Sequence, residues 1–586
     1  MSISGVSSYS IPQIQALTTQ EIRSLDSTEI SSLSSTQLNA LNFEQIAAIG
    51  TDEIKSIASD TIAQLSVDQI FNLITDQIAA LGTDQVGALT TAQVQALQLE
   101  DIEVLSTAQV RAWNANQLVA LTTDQISHLG TAQLASMTPA KLAAIEPEDI
   151  AQLTTDQIKA ISTTQVASMT TAQLAKLSSD HVAALTTGQL SAMSASISAL
   201  SSDAVAGLTS AQVKTLTTTQ IEALTTAQIT QLTTDAVSGI TAAQMPKMET
   251  RDLVKLSAEQ VQALNTAAVA AMLDAQVSQL SPDQVASMGT AQVKALTNAH
   301  VTAMSSTQIS NMTSDQVAVL SSGQMNAMDT ADMVTMSVEQ VQALNTATLS
   351  KLDTPHVANL TTAQVAALTT DQAKALTASQ LTDMTANQLN VMSADQLMQL
   401  SGSQLAGIET VDLATMSTEQ VQSFAAASMS GLTTSQINNL TTAQLSALTT
   451  DQFQRLTTQQ VVALSATQAP KISAAQVTAM STAQIAAIEE GDLQLLHGDA
   501  IEAMSAAQVK ALTVAQIDNL TPSQMRRLGT DQFAAIGTDR IAVLTSDQLA
   551  AVTTAQAQAM SAAQVTALTS LQVPKLSASA IGAMNS

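Results

Sequence analysis

The stretch Leu89-Thr90-Thr91-Ala92-Gln93-Val94-Gln95-Ala96, followed at once by Leu97, decides the fold. Ser or Thr followed three residues later by Gln is the capping-box signature of a helix start. Thr90 takes the N-cap position, where its hydroxyl accepts from the Gln93 amide. Gln93 takes N3, and its side chain reaches back to the Thr90 amide. Val94 and Leu97 stand three residues apart and share a helix face.

The phrase recurs almost without interruption. With the large apolar anchor as position 1, position 2 is usually Thr or Ser, position 5 Gln, position 6 Val, Ile or Leu, and position 8 often Ala. Anchors step by eight from Leu17 to Met193. Leu200 follows only seven residues later, and the step of eight resumes to Met584, giving about 72 anchors with one slip. The chain divides into an N-terminal segment over 1–9, an octapeptide array over 10–193, the slip at 194–199, and the array again over 200–584. So short a unit is one structural step, stacked many times.

A continuous helix does not fit. Eight residues in two turns require 4.0 per turn, too far from 3.6 to hold one stripe inward. A strand does not fit either, because positions 1, 6 and 8 do not alternate and Ala and Gln are poor strand formers. The remaining reading is an all-α solenoid: a helix of six or seven residues, a corner at the Ser/Thr cap, then another helix. Such helices do not hold alone, so stability has to come from neighbours along the array. The number of helices per coil stays open. Asp at position 4, as in Asp84, Asp124 and Asp156, is N2, where negative charge suits the helix dipole. Pro147 and Pro282 fall on the first helical residue, where proline is favoured. Pro246, Pro470 and Pro574 fall at position 7 and should perturb their helices.

Ten octads form a longer unit. Glu249-Thr250-Arg251-Asp252-Leu253 returns 80 residues on as Asp329-Thr330-Ala331-Asp332-Met333, then as Glu409-Thr410-Val411-Asp412-Leu413 and Glu489-Glu490-Gly491-Asp492-Leu493. The plain reading is inherited copies of an acidic surface cap; the sharper one is a periodic ligand site.

Composition bounds function. Aromatic residues make up 1% of the chain, so the core is thin and lined by aliphatic side chains. The formal charge of -28 is dispersed and leaves no basic footprint for nucleic acid. There is no cysteine, hence no disulfide and no thiolate metal site. The first residues lack the basic and apolar regions of a standard signal peptide, and no apolar run is long enough to span a membrane.

No catalytic, cofactor-binding or metal-binding residues are assigned, and no cofactor is expected. His181, His300 and His356 replace Gln at position 5, read as a semi-exposed helix start. His128 and His497 are isolated. Met137, Met169, Met193, Met272, Met288 and Met304 replace Leu at the anchor and are read as core. Trp113 is also an anchor and should bring a local packing irregularity. Nucleophile elbows, phosphate loops and calcium loops are missing, so the protein is read as non-enzymatic.

The phrases Leu360-Thr361-Thr362-Ala363-Gln364-Val365 and Leu121-Thr122-Thr123-Asp124-Gln125-Ile126 resemble the octapeptide repeats of large bacterial proteins often labelled haem utilization or adhesion. That resemblance implies an exported, surface-associated protein. The expected function is a structural or interaction rod at or beyond the cell surface (stalk, adhesin or filament component), exported without a standard signal peptide. Its partner would be a protein or a cell surface, with self-association into fibres also open. Nucleic acid and membrane insertion are not expected. Two alternatives remain: an intracellular scaffold that binds proteins along the coil, and a ligand- or ice-binding array built on Thr or acidic rows.

Overall fold

The computed structural model describes residues 5–584. They form α-helices of four to six residues with short 3₁₀ segments between some of them, and no strand is present among the described residues. Many reach the six residues expected and none among the described residues reaches seven, because the corner takes two residues rather than one. Leu97 (φ -59°, ψ 133°) and Gln98 (φ -73°, ψ 163°) are consecutive extended residues between the helices Thr91–Ala96 and Leu99–Val104.

The capping box forms as read. The Thr90 N–H donates to Gln93 Oε1 at 2.8 Å, and the Gln93 N–H donates to Thr90 Oγ1 at 3.3 Å. The glutamine half survives without a hydroxyl: the Gly82 N–H donates to Gln85 Oε1 at 2.8 Å and the Leu273 N–H to Gln276 Oε1 at 2.8 Å. Position 5 therefore defines the helix start more consistently than position 2 does.

The chain falls into two compact units, Met1–Leu296 and Thr297–Ser586. Each is wound the same way. In the first, Gln93 Nε2 donates to the Ile62 carbonyl at 2.9 Å and to the Leu65 carbonyl at 2.8 Å, 31 and 28 residues earlier. In the second, Gln508 Nε2 donates to Val477 and Met480 at 2.8 and 2.7 Å with the same offsets. Each helix packs on the third one along the chain, and position 3 meets position 4 of the next turn, as Ser210 Oγ does in donating to Asp235 at 3.1 Å.

Positions 1 and 6 line the interior, as Leu97 and Val94 show with 4% and 0% exposure. The anchor methionines Met137, Met169, Met193, Met272, Met288 and Met304 are all buried. Trp113 is fully buried and its indole N–H has no partner, while its backbone keeps the extended corner of the other anchors (φ -56°, ψ 139°). Position 8 lies against the neighbouring turn. A Cβ on Gly207 would stand 1.9 Å from the Ser179 carbonyl oxygen, and one on Gly431 would stand 2.3 Å from Gly402 backbone atoms. Only a residue without a side chain fits such contacts.

The slip is absorbed locally. Ser194–Ala199 is a 3₁₀ helix entered through Ser194 at φ 47°. A 3₁₀ helix rises about 2.0 Å per residue against about 1.5 Å in an α-helix, so a shorter octad spans the same edge. Gln212 then bonds to Val182 and Leu185 at offsets of 30 and 27, and Gln228 returns to 31 and 28. The winding continues through the slip, which is no domain boundary. Pro246, Pro470 and Pro574 each convert a helix to 3₁₀, at Met245–Lys247, Ala469–Lys471 and Val573–Lys575. Of the segment 1–9, the described part is not idle: the carbonyls of Ser7 and Tyr9 accept from Gln37 Nε2 at 3.1 and 2.9 Å.

Candidate functional site

The feature with the most chemistry is the seam made by position 5. A glutamine there uses its whole carboxamide. Its oxygen accepts the N-cap N–H, and its two amide hydrogens go to carbonyls at the C-terminus of a helix in the preceding turn. The anchor carbonyl has no other donor, while the one three residues before it also accepts the anchor's own N–H, as Leu134 does from Met137 at 3.1 Å; leaving the anchor carbonyl buried and unpaired would be costly. Gln165 is typical at 0% exposure, with bonds of 2.7 Å from the Ser162 N–H and of 2.8 and 2.9 Å to the carbonyls of Leu134 and Met137. Reading position 5 as semi-exposed is therefore corrected. The partner that buries it comes from a turn that sequence spacing does not reveal.

The same correction holds for the three histidines. His181, His300 and His356 are 6%, 3% and 6% exposed. His181 reproduces the glutamine pattern: the Ser178 N–H donates to Nδ1 at 3.2 Å, and Nε2 lies 2.7 Å from the Leu153 carbonyl. A carbonyl only accepts, so the ring there is the Nε2–H tautomer. The Thr297 N–H likewise donates to His300 Nδ1 at 3.2 Å. His356 Nε2 meets the Met328 carbonyl at 3.1 Å, but its Nδ1 is unpartnered. The N–H that would fill it, on Asp353, donates to Asn326 Oδ1 at 3.1 Å instead. His128 contacts the Asp124 carbonyl through Nδ1 at 2.8 Å, and His497 pairs with Asp499 at 3.2 Å on the surface. The five histidines are not brought together, and no group of three or more His, Asp or Glu placed to hold a metal is found among the described residues.

Aspartate is the substitution that the sequence reading passed over. Asp101, Asp149, Asp252, Asp332, Asp412 and Asp492 all occupy position 5, and all but Asp412 are buried. The 80-residue motif is thus more than a surface cap. Its first acid is an exposed N-cap, and its second sits in the seam. A hydroxyl 26 residues earlier approaches some of them: Thr123 Oγ1 donates to Asp149 at 2.8 Å and Ser306 Oγ to Asp332 at 2.6 Å. Asp492 has an alanine, Ala466, at that offset. Burial pushes the carboxyls of Asp101, Asp149 and Asp492 above the ordinary Asp range. On the surface the order reverses. The own backbone N–H, then the hydroxyls of Ser257, Ser337 and Ser417, hold Glu259, Glu339 and Glu419 below the usual Glu range.

The outer surface carries positions 2, 3, 4 and 7. Position-2 hydroxyls are taken up by capping. Open clefts occur, one lined by Asn359, Thr382, Asp383, Glu409 and Asp412. No helix among the described residues is long and apolar enough to cross a membrane.

This architecture defines a tandem-repeat α-solenoid. The family model for the ALTTAQ repeat matches residues 72–99, 94–131, 142–179, 182–218, 245–282, 285–322, 299–330, 325–362, 405–442, 485–522 and 522–554, more than half of the chain. The chain belongs to the ALTTAQ repeat family. No curated protein matches it. Among solved structures, APUM23 with GGAAUUGACGG is 10% identical over 93% of this chain and 95% of that one, at a TM-score of 0.14. The karyopherin Kap121p bound to the extreme C-terminus of the phosphatase Cdc14p is 10% identical over 98% of this chain and 75% of that one, at a TM-score of 0.12. Likeness at this level carries no argument about function.

Proposed function

We propose that this chain is a non-enzymatic structural or interaction protein that presents the outer faces of its helices to a protein or cell-surface partner. The observation that supports this most is the division of labour within the octad. Positions 1, 5 and 6 are spent on the interior and the seam, which leaves positions 2, 3, 4 and 7 as a long repeated surface. Haem chemistry has no support in the seam, since His181, His300 and His356 are all buried there and each engages the seam through a ring nitrogen.

The reading extends to a place at or beyond the cell surface, as stalk, adhesin or filament component. The cysteine-free, acidic composition supports it. Fractionation of cells producing the tagged chain, with protease added to intact cells, tests the location. Cleavage of the protein on intact cells is the expected result. Recovery wholly in the protease-protected soluble fraction would move the reading to an intracellular scaffold. Binding of the purified chain to intact cells tests the interaction, and saturable retention is expected.

A further inference from the structure

Asp101, Asp149 and Asp492 stand where glutamine otherwise joins two turns, and they change what the seam can do. At glutamines away from the slip, the carbonyl 28 residues earlier receives a hydrogen from Nε2, as Leu65 does from Gln93 and Met480 from Gln508. At these three aspartates, the corresponding carbonyls of Leu73, Leu121 and Leu464 receive no hydrogen bond. A carboxylate is acceptor-only, whereas a carboxylic acid carries one O–H donor. Short side chains at position 5 do reach that carbonyl. Ser428 Oγ donates to Leu400 at 2.7 Å and Thr348 Oγ1 to Leu320 at 3.1 Å.

We propose that Asp101, Asp149 and Asp492 are acid-closed latches between turns. As carboxylic acids they donate to the carbonyls of Leu73, Leu121 and Leu464, and as carboxylates they leave those carbonyls unpaired and facing negative charge.

The surroundings favour the neutral form. Asp101 has Glu100 and Glu103 on its own helix, Asp76 on the packed helix Thr75–Ala80 and Asp124 on Thr123–Ser127. Asp149 has Glu146 and Glu148 beside it and Asp124 with His128 across the seam; the helix Thr171–Leu174 brings no charge, and Lys176 beyond it pairs with Glu148 at 3.2 Å. Asp492 has Glu489 and Glu490 beside it, Lys471 on the packed segment Ala469–Lys471 and Asp518 on Val514–Asp518. Apart from Lys471, His128 and the paired Lys176, these neighbours are acidic. The three carboxyls are raised, with burial the leading cause. A group raised in the folded state stabilises fully below its unfolded value, about 3.9 for Asp, and loses that contribution as pH rises through the folded value. The latches therefore close on acidification, a property separate from the surface function proposed above.

The test compares the full-length chain with the D101Q/D149Q/D492Q variant, and with a D315N/D371N/D395N control that removes the same charge from exposed sites. Thermal unfolding midpoints are recorded from pH 7 to pH 4. The seam variant should be the more stable at pH 7 and should gain less on acidification than wild type, while the control keeps the wild-type slope. All three proteins share the same histidines, so histidine titration cancels. Glutamine already occupies most seam positions, so folding of the variant is expected. If it fails, deuterium uptake of a peptide spanning 489–497 in wild type and D492Q, corrected for the intrinsic pH dependence of exchange, serves instead: it should slow in acid in wild type alone. Parallel curves for wild type and the seam variant, or an equal acid response of the peptide, would overturn the proposal.

Discussion

Replacing Gln165 with leucine keeps the size of the side chain and removes every polar contact it makes. Three hydrogen bonds go: one from the Ser162 N–H and two to the carbonyls of Leu134 and Met137. At about 1 kcal/mol each, with a further cost for the Met137 carbonyl left unpaired while Leu134 keeps the Met137 N–H, the loss is about 3–4 kcal/mol. The loss should stay local, because each coil contacts only its neighbours. Overall unfolding is therefore a blunt readout, and hydrogen exchange of peptides spanning 134–142 and 162–169 is the sharp one. At about 1.4 kcal/mol per tenfold, their amides should exchange roughly 10²–10³ times faster in Q165L. Thr163→Ala, an exposed position-3 change on the same helix, should leave them nearly unchanged. Equal exchange in Q165L and T163A would refute the view that the carboxamide joins the turns.

Other changes test the remaining contacts. Gly207→Ala places a Cβ against the Ser179 backbone and should cost about 1–3 kcal/mol, whereas Gly491→Ala meets nothing within 4 Å and should be silent in the same thermal melt. His181→Gln restores the carboxamide and should hold or raise the melting midpoint, while His181→Leu should lower it. The single tryptophan, Trp113, is fully buried, so its fluorescence should resist acrylamide quenching until the first unit unfolds. Glu259, Glu339 and Glu419 are lowered by hydrogen bonding, so their contribution is present above the ordinary Glu value of about 4.3 and is lost as pH falls through the lowered values. Replacing all three with Gln should flatten the lowest-pH limb of the melting curve.

Much of this was legible in Thr90 and Gln93 alone. Helix starts every eight residues, the anchor core and the 3₁₀ breaks at Pro246, Pro470 and Pro574 all follow from rules acting within a few residues. The role of Gln93 in the seam was not legible, because Ile62 and Leu65 are brought to it by the angles of several corners, and octad spacing does not state those angles. That one gap explains the other misses. Without those angles, position 5 reads as semi-exposed, His181 as a substitution at a semi-exposed helix start, and the acidic 80-residue motif as copies of a surface cap. The signal lay in the sequence as aspartate standing where glutamine belongs, but its meaning required knowing that the position is buried against carbonyls.

The winding can be measured directly because the chain has no cysteine. A Cβ on Gly87 would lie 3.7 Å from the Ala112 Cβ, in the next turn, within the spacing a disulfide needs. Gly87→Cys/Ala112→Cys should form an intramolecular disulfide under mild oxidation, seen by mass spectrometry of the digested protein, while Gly87→Cys/Ala120→Cys, one octad further, should not. No bond in the first variant, or equal yield in both, would contradict a coil in which each helix packs on the third one along the chain.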